Sequence, residues 1–409
     1  MLANLPRART VMEKHGLDGL IAVHRINVYY LTGFTTELMM IDRPFINFVV
    51  LPRREDMPAA LTLSFNDLGA LAAQTTWVPN IVAVTRNSSV DLTAPPEYYP
   101  LREGTTLTPM EHVWDAAAAG QAGKMQHTPT LALKKALEDA GLSRGRIGCD
   151  DPRIFTWLYD AGLTQITGSE ASNVFREIRM IKTPEEIDLM RSAALMNEAA
   201  AKAAMASIRE GAQREEIDRV FNTAWAGAGG KGLYILVGTH GGTRFGPGIA
   251  AGDPVMIDAI GSFRGYHGDI GRTVVVGEAS EEVSRSYRAM VTGWHEARDR
   301  IRPGMRASEL VATAVAATNM AGFPHCRRAV LHSLGLEHTD NPLPHGPDRG
   351  SGDLVLEENM VISFEMPHHE TGWGHMHLED SVLVTATGNE ALTKLAMDLE
   401  VLPRGRAGF

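Results

Sequence analysis

The stretch G-D-P-V-M-I-D-A-I-G-S-F-R-G-Y-H-G-D-I-G-R-T-V-V-V-G, residues 252–277, decides how this chain folds. Two apolar β runs, 255–260 and 270–276, flank a Gly-rich turn, which is the pattern of an antiparallel hairpin. Each run carries an aspartate, Asp258 and Asp269. An ionised carboxylate in an apolar strand is costly unless a positive group sits against it. The stretch holds no lysine, and Arg264 and Arg272 read as turn residues, too few to supply that charge. A divalent metal is the simplest counter-charge, because the hairpin folds Asp269 back beside Asp258, 11 residues earlier (269 − 258). The competing account is a plain hairpin with solvated aspartates at its turn, since Gly-Asp turns are common.

With 409 residues the chain is long enough for two domains, each with its own core. Its composition, 44% hydrophobic and 22% charged, is that of an ordinary globular protein. A formal net charge of −10 argues against a nucleic-acid or anionic-membrane partner, either of which calls for a basic face. The two cysteines, Cys149 and Cys326, are too few for a disulfide framework or a thiolate zinc site. Without an apolar leader segment or a run of about 18 apolar residues, the chain is expected to be cytoplasmic and off the membrane.

Working outward, residues 1–170 read as an α/β domain in which strands at 17–23, 45–51, 59–63 and 147–149 alternate with helices such as 131–140. Ile26-Asn-Val-Tyr-Tyr-Leu-Thr-Gly-Phe34 reads as core and turn. The second domain, 171–409, opens with a capping box in which Thr183 is the cap, Pro184 the first helical residue and Glu186 its reciprocal partner. A faint echo follows. Ile208-Arg-Glu-Gly211 and Ile301-Arg-Pro-Gly304 each precede a Glu that starts another helix. Each echo also precedes β runs bearing carboxylates, Asp258 and Asp269 after the first and Glu365 and Glu379 after the second. A duplicated helix-helix-hairpin unit sets these two pairs face to face across a pseudo-two-fold axis; the alternative is chance similarity over few positions.

Histidines cluster between the carboxylates of the second half, at 325, 332, 338, 345, 368, 369, 375 and 377. His332 sits on an apolar run, where a lone histidine is usually a satisfied core residue. Two Asp, one His and two Glu in or beside apolar strands form an oxygen-rich set suited to two adjacent divalent ions, Mn, Fe, Co or Zn. Two metals about 3.5–4 Å apart hold a bridging hydroxide and polarise a carbonyl, the machinery for hydrolysing an amide. His338 is then placed to donate to the carbonyl or the oxyanion, and Glu365 to shuttle the proton to the leaving amine.

These residues resemble the pita-bread metallopeptidase family of the creatinase, aminopeptidase P and prolidase type, with a dimethylsulfoniopropionate lyase among its relatives. The likeness is carried by Tyr30-Leu-Thr-Gly-Phe34, by Arg179-Met-Ile-Lys-Thr-Pro-Glu-Glu-Ile187 and by the Ile-Asp, Gly-Asp-Ile-x-Arg-Thr, His-x-x-Gly, Phe-Glu and Leu-Glu-Asp contexts. The resemblance implies a creatinase-type α/β N-terminal domain and an α+β pita-bread catalytic domain. It implies the metal ligands Asp258, Asp269, His332, Glu365 and Glu379 for two divalent ions, with manganese first among the candidates. It further implies hydrolysis of a C–N bond in an Xaa-Pro peptide or similar amide, and a homodimer.

Three departures bear on the substrate pocket. Where family peptidases place a substrate-contacting histidine about 17 residues before the first aspartate, this chain reads Gly238-Thr-His-Gly-Gly-Thr-Arg-Phe-Gly-Pro247, so either His240 or the pair Arg244 and Phe245 takes that role. The spacing from His332 to His338 is six, one shorter than in those peptidases, and matches the lyase in length, although the lyase has an aspartate where His338 stands. His377 replaces the arginine that prolidase-like members carry two residues before the last glutamate. Arg327 and Arg328 are either solvated or a clamp for a substrate carboxylate. The alternatives are accordingly a creatinase- or ectoine-hydrolase-like enzyme or a lyase on the same fold.

Overall fold

Four short runs rich in Val, Ile, Leu and Ala, with two longer and more polar strands beside them, build the sheet of the first unit, Met1–Arg179, in a computed structural model that describes residues 1–41, 45–85, 102–238, 248–343 and 353–404. Its strands are β1 (Gly19–Ala22), β2 (Phe48–Pro52), β3 (Ala60–Ser64), β4 (Asn80–Val84), β5 (Arg144–Cys149) and β6 (Gln165–Glu170), in the order β4-β3-β2-β1-β5-β6. The β1/β2 and β2/β3 pairs are antiparallel and the rest parallel, giving the mixed sheet with covering helices that the alternation predicts. The helix Pro129–Asp139 starts on the Thr128 cap and turns Ala132, Leu133, Ala136 and Leu137 into the sheet's core. The 26–34 stretch is core, as read, but helical rather than a turn. Arg25–Thr32 is a helix closed by Gly33 in the left-handed region at φ 68, a conformation that glycine adopts at no steric cost. The helix Ser172–Arg179 packs on Leu5–Lys14 and so belongs to this first unit.

One acid in this unit is misplaced for its charge. Asp67 is buried, and its Oδ2 has no hydrogen-bond partner. Burial, reinforced by Glu37, pushes its pKa up to about 6. A folded value above the unfolded one means that the folded state holds the proton more tightly. Stability is therefore fullest below about pH 4 and falls as pH rises towards 6.

The second unit, Met180–Phe409, is built on one sheet whose main path runs β10-β11-β12-β9-β8-β7. Its strands are β7 (Lys231–Gly238), β8 (Pro254–Phe263), β9 (Tyr266–Val276), β10 (Val330–Ser333), β11 (Val361–Glu370), β12 (Gly374–Val384), β13 (Asn389–Ala391) and β14 (Glu400–Leu402). The helix Pro184–Ala206 begins in the expected capping box, Glu186 N–H donating to Thr183 Oγ1 at 3.3 Å and Thr183 N–H to Glu186 Oε2 at 2.8 Å. The faint echo in sequence is a structural repeat. Helices Pro184–Ala206 and Arg214–Gly227 precede the β8/β9 hairpin, and Glu281–Arg298 and Ala307–Met320 precede the β11/β12 hairpin. At the two helix junctions Gly211 (φ 74) and Gly304 (φ 87) each donate a 2.8 Å hydrogen bond, to Ile249 O and Leu356 O. The hairpins meet along β9 and β12, with Gly271 opposite Glu379 and Ile270 opposite Asp380. Among the described residues, no helix is long and apolar enough to cross a membrane.

Arg272 is not a turn residue. It lies within β9, 2% exposed, at the position that Asp380, also 2% exposed, takes in β12. Its Nη2 donates to Asp380 Oδ1 and Oδ2 at 3.0 and 3.1 Å and to Leu395 O, while Nη1 reaches the carbonyls of Gly271 and Glu379 and Nε that of Ala396. The pair closes the seam between the two hairpins, because a guanidinium offers five donors and this environment takes up all its faces.

Two outcomes follow from these acids. Arg272→Met is expected to cost about 3–5 kcal/mol in urea unfolding, and Arg272→Met/Asp380→Leu distinctly less, because the single change strands a buried carboxylate and the double one does not. Asp67→Asn is expected to flatten the fall in stability between about pH 4 and 6 and to raise stability at pH 8 by about 1–3 kcal/mol, read by urea melts of the same protein at both pH values.

Candidate metal centre

In a sheet, residues directly opposite one another and residues two apart on a strand share a face. One cross-sheet row is Leu236, Asp258, Gly271, Glu379, Glu365 and Val330, so three carboxylates stand side by side with a glycine in the gap. Asp269 lies two residues before Gly271 and His332 two after Val330, which puts both on the same face. Five side chains from five neighbouring strands are thereby gathered. Ligand atoms of Asp258, Asp269 and Glu379 lie within 4.8 Å of one another, as do those of His332, Glu365 and Glu379 and those of Asp269, His332 and His338. Each of Asp269, His332 and Glu379 belongs to two of these groups, so the groups are continuous.

Small neighbours make the room. A Cβ on Gly271 would overlap the His377 ring and come within 2.9 Å of Glu379 Cβ. Ser363, opposite both His332 and Ser381, donates to Glu379 Oε1 at 2.6 Å, and Ser381 Oγ donates to Asp269 O at 3.0 Å. Sequence reading passed over Ser363, although its place two residues before Glu365 puts it on the same face. It also passed over Tyr234 on β7, whose hydroxyl is held above its usual range by burial and then by Asp258 and the other carboxylates.

The electrostatics call for cations. Asp269 is 1% and Glu379 2% exposed. Burial, then Asp258 and Glu365, hold Asp269 well above the usual carboxylate range, and burial, then Asp269, does the same for Glu379. Burial, then Glu379, also raises Asp258 and takes Glu365 to about 7. Burial, then His338, takes His332 down to about 4, so its imidazole is neutral and its ring nitrogen is available. Asp258 Oδ1, both carboxylate oxygens of Asp269 and His332 Nε2 are buried without a hydrogen bond. Buried lone pairs left open on acids that repel one another fit divalent metal, since carboxylates with one imidazole make a hard donor set.

The other expected site residues fall as follows. His338 Nε2 is 3.1 Å from Asp269 Oδ2, an ion-pair distance without hydrogen-bond alignment, and its side chain is 41% exposed. His377 Nε2 hydrogen-bonds to Glu379 Oε2 at 3.1 Å and stands 3.5 Å from Glu365 Oε2. It also lines a cavity of about 270 Å³ with Leu236, Met256, Asp258, Arg328 and Glu365. Arg328 thus borders the space beside two of the acids. His240 and Arg244 lie outside the described residues.

Fold and site together define a metal-dependent hydrolase with a creatinase/prolidase-type N-terminal domain and a pita-bread catalytic domain. The chain belongs to metallopeptidase family M24: that family matches residues 188–386, and the creatinase/prolidase N-terminal domain matches residues 5–181. It is 29% identical over 236 residues to the Xaa-Pro dipeptidase of Pyrococcus furiosus, a match covering 56% of this chain and 67% of that protein. Its fold is similar to that of an Xaa-Pro dipeptidase from Bacillus anthracis, with a TM-score of 0.73 at 20% identity over 97% of this chain and 99% of the other. The X-Pro aminopeptidase of Thermotoga maritima superposes with a TM-score of 0.69 at 19% identity over 98% and 99% of the two chains.

Chelator-treated protein is expected to gain thermal stability on addition of a divalent metal, about 2.7 kcal/mol when the metal stands at 100 times its dissociation constant. Asp269→Asn, which weakens two of the three groups at once, is expected to abolish most of that gain in a thermal-shift titration.

Proposed function

We propose that this protein hydrolyses the peptide bond of Xaa-Pro dipeptides with two divalent ions, manganese first among them. The observation that carries the reading is the convergence of Asp258, Asp269, His332, Glu365 and Glu379, with atoms of Asp258, Asp269 and His332 left without a hydrogen bond. Asp258, Asp269 and Glu379 would hold one ion, and His332, Glu365 and Glu379 the other. Bound there, the pair would supply Lewis acidity and an activated water.

The chain's own residues supply the rest. Glu365, on the wall of the cavity, is placed to carry a proton to the leaving nitrogen. His338, partly exposed above Asp269, is placed to donate to the carbonyl oxygen as charge develops on it. His377 orients Glu379 and Glu365 through its Nε2 and borders the substrate space, while Arg328 offers a counter-charge to a substrate carboxylate. His240 and Arg244 keep their proposed place as substrate contacts.

Similarity to an Xaa-Pro dipeptidase and an X-Pro aminopeptidase favours peptidase chemistry over the amidinohydrolase or lyase alternatives. The buried free thiols Cys149 and Cys326 fit a cytoplasmic setting. A homodimer is the proposed assembly, read by light scattering as twice the chain mass. Protein loaded with two equivalents of Mn²⁺ is expected to cleave an Xaa-Pro dipeptide, and Glu365→Gln to lower kcat by about 10²–10⁴-fold. A metal-loaded sample that leaves a broad dipeptide panel intact would withdraw the peptidase reading.

A further inference from the structure

We propose that the buried ion pair of Lys182 with Asp340 positions His338 for the reaction, making Lys182 and Asp340 positioning residues of the site. The inference rests on the role given to His338 above. Lys182 Nζ and Asp340 Oδ2 stand 3.2 Å apart with side chains 0% and 1% exposed. A buried charge pair is a poor device for stability, since removing two charges from water costs about what their attraction returns. What such a pair does is hold one geometry, and here the geometry is that of the loop between His332 and Asp340.

Lys182 is fixed at its backbone, its N–H donating to Asn359 O at 2.9 Å just ahead of the helix cap at Thr183. Asp340 comes two residues after His338, and its N–H donates to Ser333 O at 2.9 Å, which closes the loop on the end of β10. Inside the loop, Gly335 packs directly on the pair. A Cβ there would overlap Asp340 Oδ2 and lie 2.7 Å from Lys182 Nζ. Gly335 O in turn accepts from His267 N–H at 2.9 Å, and His267 belongs to β9, the strand of Asp269. One turn along the helix from Lys182, Glu186 accepts from Tyr266 Oη at 3.1 Å, and Tyr266 is the first residue of β9. The same helix start therefore grips both the strand that carries Asp269 and the loop that carries His338, whose Nε2 meets Asp269 Oδ2 at 3.1 Å.

The test compares four metal-loaded proteins on an Xaa-Pro dipeptide: Lys182→Met/Asp340→Leu, which removes both charges at similar volume, His338→Ala, the triple variant, and Gly335→Ala, which forces the loop off the pair without touching a charge. Melting temperature and bound metal per chain are measured on each. The double variant is expected to keep its metal and a cooperative melt and to hold KM within about threefold, while kcat falls about 10–100-fold, the scale set by a displacement near 1 Å. His338→Ala is expected to fall similarly, and the triple variant no further, because the changes act on one unit. Gly335→Ala is expected to lower kcat in the same direction. A double variant at wild-type kcat beside a slow His338→Ala would overturn the positioning role alone. Losses that multiply in the triple variant would do the same. A His338→Ala protein at wild-type kcat would withdraw the role of His338 itself and this inference with it. Loss of metal or of a cooperative melt in both the double variant and Gly335→Ala would make the pair a folding element and end the proposal.

Discussion

Four carboxylates face one another on one side of a sheet, and the second unit is arranged around the repulsion this creates. Asp258, Glu379 and Glu365 share a single cross-sheet row, and Asp269 joins them from the next position on its strand. Each acid is held above the ordinary carboxylate range, by burial first and by its neighbours second. A fold has no reason to concentrate unpaired acids in an apolar sheet unless it is built for positive charge supplied from outside the chain. The neutral imidazole of His332 and the unpartnered oxygens of Asp269 are what remains visible of that requirement.

The scaffold meets this demand by repetition. Two helix-helix-hairpin units join along β9 and β12, and the residues at equivalent places have diverged into complementary roles. Arg272 in one hairpin and Asp380 in the other form the internal pair that closes the seam. Asp269 in one and His377 in the other become an acid of the cluster and a residue that steadies the cluster's acids. Charge that must be matched within the protein is matched at the seam, and the charge left over is one row away.

Much of this was legible from residue order, because strands report their faces. Alternation placed Asp258, Glu365 and Glu379 in apolar runs, and the Ile-Arg-x-Gly echo marked the duplication, since a glycine with positive φ is needed at both helix junctions. What sequence could not show depends on register between distant segments. Arg272 read as a turn residue because nothing local reveals that its side chain reaches Asp380, 108 positions away on β12. Residues 26–34 read as core and turn, and the core half holds, but packing makes Arg25–Thr32 a helix rather than a turn. Ser363 and Tyr234 carry no signal of their own type and are identified only by what they face. Lys182 stands unremarked in the stretch before the Thr183 cap, since its burial against Asp340 is a property of the fold.

Gly271 carries a consequence of a different kind. It stands between Asp258 and Glu379 in register, and the volume its missing side chain leaves is taken up by His377 and Glu379 from the sister hairpin. The two halves are therefore not independent modules. The bare backbone of one strand is what gives the other strand's residues their room, and a side chain at 271 would run into the His377 ring and crowd Glu379, closing the space the cluster occupies.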